Sequence, residues 1–154
     1  MEKSNLLKVA LAQIAPVWLN KEQTLKKIES YISEVGNKGA ELVVFGEGLL
    51  PGYPFWVALT DGAAWDSTVQ KELHAHYIRN SVQIEKGDLD GVCKLAKEKK
   101  IAIYLGIIER AQNRGSHSLY ATLSACTMKP SNVDYIKPII GAVTYAKTTA
   151  NAHG

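Results

Sequence analysis

Residues 41–56 read ELVVFGEGLLPGYPFW, and this stretch decides the fold. Residues 41–45 are mostly apolar and predict a short strand. Residues 46–54 then form a loop of glycines and prolines with one acid, Glu47. In α/β sheets, sites are built at the carboxyl ends of strands. Glu47 is therefore the first candidate for a catalytic residue, although from spacing alone one acid in such a loop is more often structural.

Three further segments on either side of this stretch predict strands. Residues 6–14 (LLKVALAQI) and 101–108 (IAIYLGII) are apolar on both faces, which is typical of inner strands covered on both sides. Residues 118–123 (SLYATL) alternate Leu119, Ala121 and Leu123 with other residues. The chain therefore carries four predicted strands, separated in part by helical segments.

Helical spacing of apolar residues predicts three helices between these strands. Asn20 predicts the start of the first helix, and Gly36 or Gly39 predicts its end. Two more helices are predicted after Asp66 and after Asp88, each taken as an N-cap. The order β-α-β-loop-α-α-β-β predicts an α/β layered fold.

The composition narrows the class of protein. The chain has 154 residues, 46% hydrophobic and 21% charged, with a net charge of +3, as expected for one ordinary globular domain. Basic residues are scattered among acids, so neither nucleic acid nor an anionic membrane is expected as a partner. The longest apolar run is far shorter than the ~20 residues that span a bilayer. A cytoplasmic location is predicted, with Cys93 and Cys126 as free thiols.

The end of the chain differs in composition from the rest. Residues 124–154 contain no Leu, Glu, Gln, Phe or Trp. We therefore divide the chain into a domain over residues 1–123 and an atypical tail over residues 124–154. Three interpretations of the tail stay open, namely a frameshifted end, a disordered segment, or a native but loosely packed extension. Sequencing the coding DNA in all frames distinguishes the first from the other two.

Several motifs together resemble a known family. They are VALAQ at residues 9–13, ELVVFGE at 41–47, LPGYPFW at 50–56, GIIER at 106–110 and SLYATL at 118–123. This combination resembles the N-terminal part of the nitrilase family of carbon–nitrogen hydrolases, and the proline-glycine-tyrosine-proline run favours the nitrilase branch. The resemblance implies that the α/β chain is a portion of a four-layer α-β-β-α sandwich.

The resemblance also implies a chemistry. In this family a Cys attacks the carbon of a nitrile, a Glu acts as general base and a Lys stabilises the tetrahedral intermediate, giving a carboxylic acid and ammonia. Only Glu47 carries over to this chain. The resemblance implies a small-molecule nitrile as substrate, no cofactor, no metal, and a homo-oligomer.

The chain departs from the family pattern near and beyond Glu47. Gly46 and Gly48 replace the usual Pro and Ala, and Ala121 replaces an Asn. Neither the Lys motif nor the Cys motif is found beyond Leu123, and Cys126 lacks the sequence context of a nucleophile. The chain alone is therefore predicted to be inactive. The alternatives are a non-catalytic fragment that self-associates, or a relative of the amidases or cyanide hydratases.

Three other residues are candidates for the substrate pocket. Tyr53 and Trp56 either shape the pocket or pack the loop, with packing favoured for Trp56. They are also expected to desolvate Glu47 partly, together with Phe45 and Phe55. Glu109 either lines the same pocket as Glu47 or forms a surface ion pair with Arg110, which is the more ordinary role at a strand end.

Overall fold

Four strands form a single mixed sheet in the structure, a computed structural model that describes residues 6–60, 66–110 and 118–127. The strands lie side by side in chain order, with β1 to β3 parallel and β4 antiparallel to β3. This arrangement confirms the predicted α/β class. The strands are β1 (Val9–Ala12), β2 (Leu42–Phe45), β3 (Ala102–Arg110) and β4 (Leu119–Cys126).

Among the described residues, one short 3₁₀ helix (Ile84–Lys86) and four α-helices accompany this sheet: α1 (Lys21–Asn37), α2 (Trp56–Leu59), α3 (Thr68–Asn80) and α4 (Asp90–Lys99). The start of α1 is as predicted, because the Asn20 side chain accepts a hydrogen bond of 3.0 Å from the Gln23 N–H. Its end is followed by Gly39, which adopts a φ of 77°. Within the described ranges, no helix combines the length and apolar character needed to cross a bilayer.

The two aspartates predicted as N-caps have other roles. Ser67, not Asp66, caps α3 and accepts from the Gln70 N–H, while Asp66 forms an ion pair with Lys71. The carboxylate of Asp88 accepts from the Lys21 ammonium at 2.6 Å and from the Gln83 N–H at 2.7 Å. It is therefore engaged with α1 and its own turn, and α4 begins without a side-chain cap.

The two faces of the sheet have different surroundings. On the helix face, alternate residues of β2 and β3 pack against α1 and α4 and form the main core. We call the opposite face the open face; its strand residues are Val9, Leu11, Leu42, Val44, Ala102, Tyr104, Gly106, Ile108, Arg110, Leu119, Ala121, Leu123 and Ala125. Leu11 is 79% exposed and Val9 is 44% exposed. One face of the sheet is thus largely buried, and the β1 edge of the other is accessible.

Strand boundaries differ from those predicted. The first strand is shorter, covering Val9–Ala12 of the predicted residues 6–14, and β3 continues to Arg110. The last strand runs three residues beyond Leu123, because Ser124, Ala125 and Cys126 pair with β3. The first residues assigned to the tail therefore belong to the sheet. The rest of the predicted tail, from residue 128, lies outside the described residues.

The prediction of two free thiols is wrong for this structure. Cys93 on α4 and Cys126 at the end of β4 form a disulfide, with their Cα atoms 5.2 Å apart. The two residues are 33 positions apart in sequence. They meet because α4 packs on the helix face at the end of β4. The sequence gives no sign of this proximity, because it depends on how a helix and a strand pack in space.

Candidate functional site

Glu47 lies in a short segment, residues 46–49, in which the chain leaves the sheet after β2; we call this segment the excursion. After Phe45 the backbone leaves β2, and it returns beside β3 at Leu50, whose carbonyl accepts from the Ile108 N–H at 2.8 Å. Val82 continues the same edge, since its N–H donates to the Ile108 carbonyl at 2.8 Å. The excursion is therefore fixed by β2 at one end and by Leu50 at the other, and it carries Glu47 over the open face.

A glycine of β3 lies directly beneath this excursion. A Cβ atom at Gly106 would lie 2.3 Å from the Gly46 carbonyl oxygen and 2.6 Å from the Glu47 Cα. Gly48, the next residue, has a φ of 60°, a conformation that favours glycine. The backbone around Glu47 therefore depends on two glycines with different roles, one that leaves space and one that allows the turn.

A cavity of about 220 Å³ opens beside Glu47. Glu47 is the one titratable group among the described residues that line it, and neither a lysine nor a cysteine is among them. Most of the lining is apolar, so the site presents a carboxylate acceptor next to a surface that suits a small organic molecule. The lining residues are Val44, Phe45, Glu47, Gly106, Ala121, Thr122 and Leu123.

The predicted partial desolvation of Glu47 by aromatic residues is not found. Glu47 is exposed, whereas Phe45 is buried in the main core. Trp56 is 4% exposed and is not among the residues that line the cavity. Glu47 lies over the open face, whereas the side chain of Phe45 points into the main core and that of Trp56 packs against Tyr77.

Trp56 belongs to a second, smaller core with Leu19, Tyr77 and Ile108. Its ring meets the ring of Tyr77 edge to face, with centroids 4.7 Å apart. Burial raises the pKa of the Tyr77 hydroxyl, with a smaller contribution from the charge of Tyr53. The hydroxyl thus stays protonated and donates to the Gly52 carbonyl at 2.9 Å. Trp56 and Tyr77 therefore fix the loop that follows Glu47.

Tyr53 lies at the rim of the Glu47 excursion. Its side chain is 58% exposed, and its Cδ2 atom is 3.9 Å from the position that a Cβ of Gly48 would occupy. The Trp18 indole N–H donates to the Tyr53 carbonyl at 2.9 Å, and the Tyr53 ring packs on Phe55. Tyr53 is thus held next to the excursion without lining the cavity itself.

The amino-acid sequence matches a known protein family. The model of the carbon-nitrogen hydrolase family matches residues 8–134. The chain belongs to the carbon–nitrogen hydrolase family. An arylacetonitrilase of Aspergillus oryzae is 38% identical over 107 residues, which are 70% of this chain and 30% of that protein. A protein named nitrilase 2, from an unknown prokaryotic organism, is 36% identical over 115 residues, 75% of this chain and 35% of that protein.

A solved structure agrees with this chain in fold. The NitN amidase from Neterenkonia sp. AN1 superposes with a TM-score of 0.57 at 14% identity, covering 92% of this chain and 46% of the amidase chain. The chain spans about a third of the length of the curated relatives that it matches. The matched fold and the sequence family together confirm a portion of a nitrilase-like sandwich.

Glu109 does not lie beside Glu47. Its side chain is 1% exposed, and one carboxylate oxygen accepts from the Thr122 hydroxyl at 2.9 Å. Because neighbouring strand residues alternate between faces, Glu109 points to the face opposite Gly106 and Ile108. Glu109 is therefore a buried, hydrogen-bonded acid and not a surface residue, and it does not line the cavity beside Glu47.

Sequence reasoning missed Gly106 as part of this site. The strand prediction treated residues 101–108 as a uniform apolar run. A glycine inside a strand often marks a close approach of another backbone, and that signal was present in the sequence. What the sequence did not reveal is which backbone approaches, because Gly46 and Glu47 are sixty residues away in the chain.

Proposed function

We propose that this chain contributes the general base, Glu47, to a nitrilase-type site that converts a nitrile to a carboxylic acid and ammonia. The observation that carries the proposal is the placement of Glu47 above an apolar cavity at the end of β2. The relatives named arylacetonitrilase and nitrilase support a nitrile as the substrate. The apolar lining supports a substrate with a hydrocarbon or aryl group.

The proposed role of Glu47 is to accept and return protons. A thiol loses its proton to Glu47 as its sulfur bonds to the nitrile carbon, and the nitrile nitrogen gains a proton, which gives a thioimidate. One water adds and ammonia leaves, giving a thioester. A second water, deprotonated by Glu47, releases the acid and restores the thiol. The thiol and the stabilising ammonium are supplied by the Cys and Lys motifs of the family, which these 154 residues do not contain.

The disulfide supports the proposal that the chain is inactive by itself. The sequence holds two cysteines, and in the structure they are bonded to each other. A sulfur in a disulfide is not a thiolate nucleophile. The cytoplasmic location stays a prediction, and disulfides are uncommon in that compartment.

Grafting tests the proposed function directly. The purified chain is expected to release ammonia from phenylacetonitrile at the background rate, with or without reductant. In the graft, residues 8–126 replace the matched N-terminal segment of the Aspergillus oryzae arylacetonitrilase, and turnover of the nitrile is expected. Turnover by the ungrafted chain that is lost in Glu47→Gln would contradict the proposed inactivity. A folded graft that turns over amides but not nitriles would favour the amidase alternative.

The open face supports a second candidate function, a non-catalytic chain that self-associates. In a four-layer sandwich, this face of the sheet packs against a second sheet. Apart from Arg110 at the end of β3, the open-face strand residues are uncharged, so two copies that meet over β1 and β2 do not bring like-charged strand residues together. Leu11 is 79% exposed there, which is a large exposure for a strand leucine. We propose that two copies of the chain pack open face to open face.

Replacing Leu11 by Lys is expected to weaken this dimer by about 10²-fold in Kd. Burial of one leucine is worth about 1.5 kcal/mol or more, and a two-fold interface contains it twice. Leu59→Lys is the matched control, because Leu59 is also 79% exposed but lies on the short helix α2 and not on a strand of the open face. Sedimentation equilibrium measures both. Equal Kd values for the two variants, or a monomeric wild type, would rule out the open face as the interface.

A further inference from the structure

We infer that Gly106 is a positioning residue for Glu47, an inference that rests on the proposed function. Gly106 lies in β3, and the Gly46–Glu47 peptide crosses directly over it. A Cβ at position 106 would lie 2.3 Å from the Gly46 oxygen, 2.6 Å from the Glu47 Cα and 2.9 Å from the Gly46 carbonyl carbon. All three atoms belong to the backbone that carries the proposed general base.

The requirement for glycine at position 106 is steric and not conformational. Gly106 is not among the described glycines with positive φ, so its β3 backbone suits any L residue. The three close atoms are also not the ends of flexible side chains, which could turn aside. To reach an ordinary separation of about 3.5 Å, the Gly46–Glu47 peptide would have to move by roughly 1 Å.

The displacement has to be taken up by the excursion itself. On one side the excursion is held by β2, where Phe45 is paired with Ala12 of β1. On the other side it is held by Leu50, whose carbonyl accepts from the Ile108 N–H at 2.8 Å. Residues 46–49 are the segment between these fixed points. A side chain at position 106 therefore changes the position of the Glu47 carboxylate more than the path of the sheet.

Gly46 provides a matched control variant. An added Cβ at Gly46 meets no atom within 4 Å, and Gly46 is not among the described glycines with positive φ. Gly46→Ala adds the same methyl group next to Glu47 without the collision. Any effect that depends only on removing a glycine near Glu47 appears in both variants, whereas an effect of displacement appears in Gly106→Ala alone.

The test uses the full chain with 13C-labelled glutamate and NMR. In the wild type, the Hα protons of Glu47 and Gly106 are expected to give a strong nuclear Overhauser effect, because their backbones are in contact. In Gly106→Ala, the Glu47 carboxyl carbon is expected to change its chemical shift. The carboxyl carbon of Glu41 serves as the internal reference and is expected to stay unchanged, as are all glutamates in Gly46→Ala.

Two results would overturn this inference. One is a wild type without the Glu47–Gly106 Hα contact, which requires no variant and so remains informative if Gly106→Ala does not fold. The other is a folded Gly106→Ala whose Glu47 carboxyl signal matches that of Gly46→Ala. A different result would contradict the proposed function alone: full turnover by the Glu47→Gln graft, with the NMR contact present in the wild-type chain.

Discussion

Glu47→Gln in the graft is expected to lower kcat for phenylacetonitrile by about 10²- to 10⁴-fold, the usual contribution of general acid–base catalysis. Glutamine keeps the size and polarity of the side chain but cannot accept the thiol proton. Because the substrate contacts the apolar lining, KM is expected to change little. Steady-state ammonia release measures both constants.

Glu41→Gln is the control for this experiment. Glu41 is an exposed acid that precedes β2, on the same segment as Glu47 but at the other end of the strand. Its replacement is expected to leave kcat within about twofold, as for most surface substitutions. If both variants lose activity equally, the loss reflects net charge or folding and not a specific role of Glu47. If neither variant loses activity, Glu47 is not the general base.

Cys93→Ala is expected to lower the free energy of unfolding by about 3–4 kcal/mol. The disulfide closes a loop of 33 residues, and the loss of unfolded-state entropy for a loop of this size is of that order. Urea denaturation followed by circular dichroism measures the change. Cys126 is 4% exposed and joins α4 to the last residue of β4, so the variant also loosens the attachment of the helix to the strand.

Reductant provides the control for the disulfide. Wild-type protein unfolded in reductant is expected to approach the stability of Cys93→Ala, and reductant is expected to leave the variant unchanged. Intact-mass measurement after alkylation under denaturing conditions counts the free thiols. Two alkylated cysteines in the unreduced wild type would contradict the disulfide, and the sequence-based prediction of free thiols would then stand.

Local patterns in the sequence predicted the elements well. The apolar run of β2 and the cap at Asn20 depend on neighbours within a few residues, so they are legible without knowledge of the fold. Asp88 was predicted to cap a helix because its local context suits that role. In the structure its carboxylate forms an ion pair with Lys21, which is distant in sequence, and it does not cap the helix.

The site was predictable only in part. Glu47 follows a strand, and strand ends are recognisable from sequence. Glu109 was also predicted to lie at a strand end, but β3 continues to Arg110. The alternation of faces within the strand therefore decides where its side chain points. A shift of one residue in a strand exchanges its faces. Gly106 and the Cys93–Cys126 pair depend on tertiary contacts that no single-sequence pattern encodes.

The two single-residue bridges along β3 have a consequence for how this fold can diversify. Leu50 and Val82 each pair with β3, at Ile107 and Glu109, and between them the chain leaves the sheet. The segment between these anchors includes Tyr53, α2 and α3. Its length and sequence can therefore vary as a cassette while both anchors keep their register. Because Trp56 and Tyr77 hold the loop that follows Glu47, an exchange of this segment between homologues preserves the position of Glu47 only where these two residues are kept.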